Sequence, residues 1–176
     1  MNAYEDPIFF TYHAMSQMAD IYQFVSEWSQ ILENKKEHDF QQIAHYDDEQ
    51  SSIADYFLTQ EYNHLYAHFL VTIYSALEYD LCYLTGLKDY DYKKFLNFLK
   101  DHNIKGNELK NINAVNLLRL YCNAYKHNGG FYTDEIISYE KDKKKCDEIQ
   151  YLDLNIMEQY NFSYEFLFDL YGKLKQ

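Results

Sequence analysis

The sequence predicts an all-α protein, a helical bundle of about five helices with an irregular excursion before the last helix. Apolar residues recur every three to four positions over most of the chain, which is typical of helices that each bury one face. Capping residues precede three of these segments. Five glycines and one proline are too few for the tight turns of a sandwich or barrel. With 47% hydrophobic residues, the chain 1–176 is expected to form one domain around one core.

The apolar spacing sets the order of the expected elements in the first half of the chain. A first helix is expected over about 12–34, followed by a polar connector over 33–50 with room for a short helix. A second, long helix is expected from Ser52, an N-cap with Asp55 in the capping-box position, to Gly86. This half is therefore predicted to be two helices joined by a polar connector.

The second half is predicted to hold three more helices. Asp91 is positioned to cap a short third helix, and a fourth helix is expected over 108–128, closed by the glycines at 129–130. Residues 131–154 break the helical pattern, and we expect two short extended pieces around a charged loop there. Asn155 is positioned to cap the last helix.

Charge and cysteine content exclude several classes of function. The 28 aspartates and glutamates outnumber the 16 lysines and arginines, which gives a net charge of −12. This balance argues against a protein that coats duplex DNA or an anionic membrane through bulk positive charge, although a locally basic cleft stays open. The three cysteines, Cys82, Cys122 and Cys146, form no Cys-x-x-Cys pair, so neither a zinc knuckle nor a disulfide framework is encoded.

Targeting signals are also missing from the pattern. The first six residues are acidic at their end and lack the basic start of a signal peptide. The most apolar stretch, 65–87, is interrupted by His68, Glu78 and Asp80, which is not the pattern of a membrane span. We therefore expect a cytoplasmic protein with reduced thiols and no membrane partner.

The fourth helix has a narrow polar strip on an otherwise apolar circumference. At about 100° per residue, five polar side chains fall within about 100° of one another, and nearly all other positions are apolar. We call this set the polar strip; it consists of Asn116, Arg119, Asn123, Lys126 and His127. A helix with so little polar surface needs cover on nearly every side, so we expect a dimer whose interface includes part of 108–130.

The polar strip lies in a segment without acids. Arg119 is the only arginine of the chain, and residues 109–133 contain no carboxylate. Cations and amides with no acid nearby suit a phosphate group. Two plainer interpretations stay open: the strip is simply solvated, or Arg119 pairs with a carboxylate from another helix.

The segment from Leu117 to Gly130, LLRLYCNAYKHNGG, resembles the signature of the HEPN superfamily. That signature is an arginine, a polar residue that is often asparagine, three further residues and a histidine, late in a bundle helix and often before a glycine turn. The stretch 70–78 also resembles the long helix that precedes the signature in such proteins. The likeness in layout spans about 52–174, whereas its specific part is about a dozen residues.

The resemblance implies an activity and roles for individual residues. Many HEPN proteins are dimeric, metal-independent endoribonucleases of toxin–antitoxin, phage-defence or CRISPR-linked systems, which need no cofactor. The resemblance implies that His127 is the catalytic base and that Asn123 takes the polar position. The motif arginine, however, falls on Cys122, and a thiol cannot bind a phosphate oxygen as a guanidinium does. Arg119, one turn earlier, is the candidate substitute.

The remaining polar groups complete the candidate site. Lys126, Asn116 and Asn128 are expected to bind the substrate, which the resemblance implies is RNA. A homodimer and an antitoxin or another operon-encoded protein are the expected protein partners. The alternative is a catalytically inactive HEPN-like binding or scaffold module for RNA, a nucleotide or a protein. A third option is an acidic mimic of nucleic acid, against which the acid-free fourth helix argues.

One further set has the spacing of metal ligands. Glu61, His64 and His68 share a face of the second helix, and Glu-x-x-His is a ligand step in di-iron bundles. Such sites need a second Glu-x-x-His, and the sequence has none. A structural or surface role for the two histidines is therefore favoured, and no metal site is predicted.

Overall fold

The all-α class is confirmed by a computed structural model, which describes residues 16–175. In that range six α-helices follow one another and no β-strand forms. They are α1 (Ser16–Ile43), α2 (Asp48–Thr85), α3 (Tyr92–Asp101), α4 (Ile112–His127), α5 (Asp134–Ile137) and α6 (Ile156–Leu174). Two short 3₁₀ helices span Gly106–Glu108 and Tyr151–Asp153. The start of the predicted first helix, before residue 16, lies outside the described residues.

The predicted connector over 33–50 is mostly helix, so that prediction was wrong. Its Glu, Lys and Gln residues are strong helix formers, and the buried Ile43 keeps the apolar side of α1 in contact with the core. The chain then turns within four residues, and the Asp47 carboxylate accepts a hydrogen bond from the Gln50 N–H at 2.9 Å. Asp47, and not Ser52, therefore caps α2.

Two predicted caps are confirmed. The Asp91 side chain accepts a hydrogen bond from the Lys94 N–H at 2.9 Å, and the Asn155 side chain accepts one from the Glu158 N–H at the same distance. The fourth helix begins at Ile112, a few residues later than expected, because a 3₁₀ turn occupies the segment before it. The later start leaves the polar strip entirely within α4.

The excursion over 131–154 contains no pair of extended strands, which corrects the prediction. Its only extended pairing among the described residues is an isolated antiparallel bridge between Phe131 and Glu148. The Thr133 hydroxyl caps the one-turn helix α5 instead. The buried Asn63 of α2 holds the far end of the excursion, because its amide donates to the Ile149 carbonyl at 2.9 Å.

The long helix α2 is the centre of the bundle. It packs against α1, α4 and α6, and the side chains that it directs into the core are fully buried over several turns. Asp80 of α2 is buried, and its carboxylate accepts hydrogen bonds from the backbone N–H groups of Met18 at 2.9 Å and Gln17 at 3.3 Å. It therefore provides acceptors for two N–H groups in the first turn of α1, which have no partner within the helix. Burial raises the pKa of Asp80 to about 6, although those two hydrogen bonds act in the opposite direction.

The single chain covers α4 almost completely. Half of its residues are buried and most of the others are half-buried, between α2, α6 and the excursion. The argument that α4 needs a second copy for cover therefore loses its basis. None of the described helices combines the length and apolar composition that a bilayer span requires.

Candidate functional site

The polar strip of α4 is partly open to solvent, and its exposure increases along the helix. Asn116 is buried at 5% exposure, Arg119 and Asn123 are half-buried, and Lys126 and His127 are exposed. Thus the strip that looked uniform on a helical wheel runs from the protein interior to its surface. Its two ends have different surroundings.

Arg119 is fixed at the inner end of the strip. Its Nε donates to the Asn116 Oδ1 at 2.9 Å, and its guanidinium carbon lies 4.9 Å from the centroid of the Tyr92 ring. Within residues 16–175 it makes no ion pair, and its two outer nitrogens donate no hydrogen bond. Arg119 therefore forms no pair with a carboxylate of another helix in the described part of the chain, contrary to one of the two plainer interpretations. A guanidinium with a fixed plane and an open outer edge matches the geometry of a phosphate.

Asn116 is buried and helps to position Arg119. Its Oδ1 accepts from Arg119, and its Nδ2 donates to the Tyr139 hydroxyl at 2.7 Å. Both polar groups of this buried amide therefore have partners within the protein, and its role in binding a substrate stays a prediction. Tyr92 and Tyr139 come from distant parts of the chain, so no local sequence pattern could reveal them.

A carboxylate from α2 lies beside the strip, near Lys126 and Arg119. Burial raises the pKa of Glu78, while the neighbouring Tyr74 and the charges of Lys126 and Arg119 act to lower it. The Lys126 ammonium also lies 5.9 Å from the centroid of the Tyr74 ring. The sequence contained one signal for Glu78, because this acid interrupts the most apolar stretch of the chain. Its proximity to the strip depends on the packing of α2 against α4.

His127 ends α4 at the surface. It is exposed, and among the described residues its side chain makes no hydrogen bond or ion pair. Asn128 follows as the C-cap, with its N–H donating to the Ala124 carbonyl at 2.8 Å. His127 is eight residues beyond Arg119, which is about 12 Å along the helix axis and about 80° around it. One chain therefore does not bring the guanidinium and the imidazole to the same phosphate oxygen.

Cys122 takes the position of the motif arginine and is buried. Its exposure is 1%, and burial raises the pKa of its thiol well above the ordinary range. On a helical wheel Cys122 lies about 40° from Lys126, at the edge of the strip, but the structure places its side chain in the core.

The other candidates are surface features. The Tyr125 hydroxyl lies 3.4 Å from the His64 Nδ1 and 3.2 Å from the His68 Nε2, on the side of α4 away from the strip. No group of three or more His, Cys, Asp or Glu residues in the described part of the chain is arranged to hold a metal ion. The lysines over 141–145 are exposed, and Lys145 pairs with Asp134 at 2.6 Å.

Comparison with known proteins finds no match: no family model, no curated protein and no solved structure resembles this chain significantly. The case for a function therefore rests on the strip itself. Its groups are of the kind that recognise an anion: a positioned guanidinium, an exposed ammonium, an exposed imidazole and the half-buried amide of Asn123.

Proposed function

We propose that the chain is a HEPN-like, metal-independent endoribonuclease that binds the RNA backbone along the polar strip of α4. The observation that carries the proposal is the state of Arg119. Its guanidinium carbon lies 4.9 Å from the centroid of the Tyr92 ring and its Nε donates to Asn116, while the outer nitrogens have no partner among the described residues. An arginine held in this way loses little side-chain entropy when it binds a phosphate.

The exposed histidine supplies the group that cleavage needs. In the proposed reaction, the His127 imidazole takes the proton of a ribose 2′-hydroxyl, and the 2′-oxygen attacks the adjacent phosphorus. The bond from phosphorus to the 5′-oxygen breaks, and that oxygen takes a proton from water or from the protonated imidazole. The products are a 2′,3′-cyclic phosphate and a 5′-hydroxyl end. Arg119 stabilises the charge on the phosphorane oxygens.

The separation of Arg119 and His127 supports a dimeric enzyme. With about 12 Å of helix axis between the two residues, a phosphate bound by Arg119 lies beyond hydrogen-bond reach of His127 in the same chain. A two-fold dimer that pairs the strips would set Arg119 of one copy near His127 of the other. This argument replaces the cover of α4 as the reason for a dimer. One chain has a mass of 21.3 kDa. Light scattering at tens of micromolar protein is expected to give twice that mass, and the mass of a monomer would contradict the proposed dimer.

The proposed cellular role is based on the resemblance of the α4 segment to HEPN proteins. A ribonuclease of this type acts in the cytoplasm as a toxin or a phage-defence effector, and an antitoxin or another operon-encoded protein restrains it. Co-expression with the neighbouring genes, followed by purification of a stable complex, tests this part.

A second function, RNA binding without cleavage, is favoured by one observation. The position of the motif arginine holds the buried Cys122, so the arrangement in which arginine and histidine lie on adjacent turns is absent here. In that case the strip binds an RNA or nucleotide phosphate as a module of a larger assembly.

Product analysis separates the two functions. Purified protein is incubated with labelled single-stranded RNA in excess EDTA, and the ends of the fragments are determined. The nuclease is expected to cleave and to leave a 2′,3′-cyclic phosphate. Binding without fragments supports the module, and cleavage that EDTA abolishes rejects the proposed mechanism.

A further inference from the structure

A depression opens beside the outer end of the polar strip. It has a volume of about 510 Å³ and adjoins Asn128, the residue that follows His127. Phe131 and Tyr132 line one side, and the Lys145–Cys146 segment lines another. Its volume falls in the range of small-molecule sites, and its walls are mainly apolar.

Phe131 is held by the backbone while its ring stays in solvent. The Phe131 N–H donates to the Asn128 carbonyl at 3.3 Å, and the residue forms the isolated bridge with Glu148. The ring is nevertheless 46% exposed. Gly129, with φ of 63°, makes the turn below the ring, and a Cβ at that position would lie 3.4 Å from it. The backbone of the turn therefore fixes the point from which this exposed aromatic side chain projects.

Charge in the depression favours an uncharged ligand. Lys145 pairs with Asp134 at 2.6 Å, so the one ammonium on the wall is already balanced by a carboxylate. A phosphate would have to compete with Asp134, whereas a planar and neutral group would not. The exposed amide of Asn128 offers both a donor and an acceptor at the rim.

We propose that this depression binds one unstacked nucleobase of the RNA, with the Phe131 ring stacked on the base. The inference rests on the proposed function, because the phosphate next to that base lies on the strip at Lys126 and His127. Stacking on an aromatic ring is tolerant of sequence, and the Asn128 amide then contacts the edge of the base. The strip thus binds the backbone, and the depression selects single-stranded RNA over a duplex.

The test compares two uncleavable strands. One is a labelled eight-nucleotide RNA with 2′-O-methyl groups, and the other is the same strand without bases. Phe131→Ala is expected to weaken binding of the first strand by about 5- to 100-fold, the range for loss of one stacked base. It should leave the affinity for the base-free strand unchanged. Phe131→Trp should retain binding and Phe131→Leu should lose it, because a leucine is apolar but cannot stack.

Phe168→Ala is the matched control, since this phenylalanine is 62% exposed on α6 and lines a different depression. Thermal unfolding of each variant establishes that the fold is intact. If Phe131→Ala binds both strands as the wild type does, the base subsite is rejected and the proposed function stands. A wild type that binds neither strand rejects the proposed function and the subsite together.

Discussion

The two ends of the polar strip differ in how much of their geometry exists before a ligand arrives. At the inner end, Arg119 has its position fixed by Asn116 and Tyr92. At the outer end, the exposed His127 side chain makes no hydrogen bond or ion pair with any described residue. The inner end is therefore suited to binding at once, whereas the outer end must be positioned by the substrate or by a second copy.

Under the proposed function, this difference separates phosphate binding from the proton-transfer chemistry along one helix. A residue that the fold positions contributes to stability as well as to function, and changing it should affect both. A residue that projects into solvent contributes to function alone. The predictions below test that distinction, from the largest expected effect to the smallest.

The outer end should give the largest loss of activity at the smallest structural cost. His127→Ala is expected to lower the cleavage rate by about 100- to 10,000-fold, because the base that accepts the 2′-hydroxyl proton is lost. RNA affinity and the urea midpoint should stay close to those of the wild type. The matched control is His102→Ala, an exposed histidine near the end of α3, which should keep full activity. A His127→Ala variant that cleaves normally would remove His127 from the mechanism.

Moving the arginine to the motif position should disrupt the fold. Cys122→Arg places a charge at a site with 1% exposure and is expected to lower the free energy of unfolding by about 3 kcal/mol or more. Cys146→Arg, at an exposed cysteine, should change it by less than about 0.5 kcal/mol. Urea unfolding of both variants provides the measurement. A stable Cys122→Arg protein with raised cleavage would show instead that the motif position opens onto the strip.

The inner end should lose function and stability together. Arg119→Ala is expected to lower the cleavage rate by about 100-fold, since the cation that stabilises the phosphorane is removed. It should also lower the free energy of unfolding by about 1–2 kcal/mol, because the buried Asn116 Oδ1 loses its donor. Comparing the urea midpoints of Arg119→Ala and His127→Ala checks the contrast directly. Equal stability of the two variants would contradict it.

The carboxylate of Glu78, beside the strip, should have a smaller, pH-dependent effect. Burial raises the pKa of Glu78, so the native state binds this proton more tightly than the unfolded chain does. The stability that protonated Glu78 contributes is therefore lost as the pH rises from the ordinary pKa of a glutamate through the raised pKa in the folded protein. Glu78→Gln should gain stability relative to the wild type as the pH rises from 4 to 8, as followed by urea unfolding. Glu61→Gln, at an exposed carboxylate of α2, should show no such trend.

Sequence patterns predicted local features and missed those that depend on packing. The caps at Asp91 and Asn155 and the placement of the polar strip within one helix depend on neighbouring residues, and the structure agrees with all three. The connector was predicted wrongly because polar composition was given more weight than the helix propensity of its residues. The burial of Cys122 could not be predicted from a helical wheel, because the wheel does not show which elements pack on each side of α4.

The partners of Arg119 show the same limit within the site. Arg119 and Asn116 are three residues apart, so their contact follows from helix geometry. Tyr92 and Glu78 come from α3 and α2, and only the tertiary arrangement brings them to the strip. The sequence therefore supplied candidate residues for binding a phosphate, whereas the structure distinguished the positioned Arg119 from the exposed His127.

Mixing two inactive variants tests most directly whether the two ends of the strip act together. Arg119→Ala and His127→Ala are unfolded together in equal amounts and refolded, and RNA cleavage is measured in EDTA beside each variant alone. If Arg119 of one copy acts with His127 of the other, half of the dimers are mixed and each has one intact site of two. The mixture should then recover about a quarter of the wild-type rate. A mixture as inactive as its components, when the wild type cleaves and mixed dimers are shown to form, would contradict the shared site.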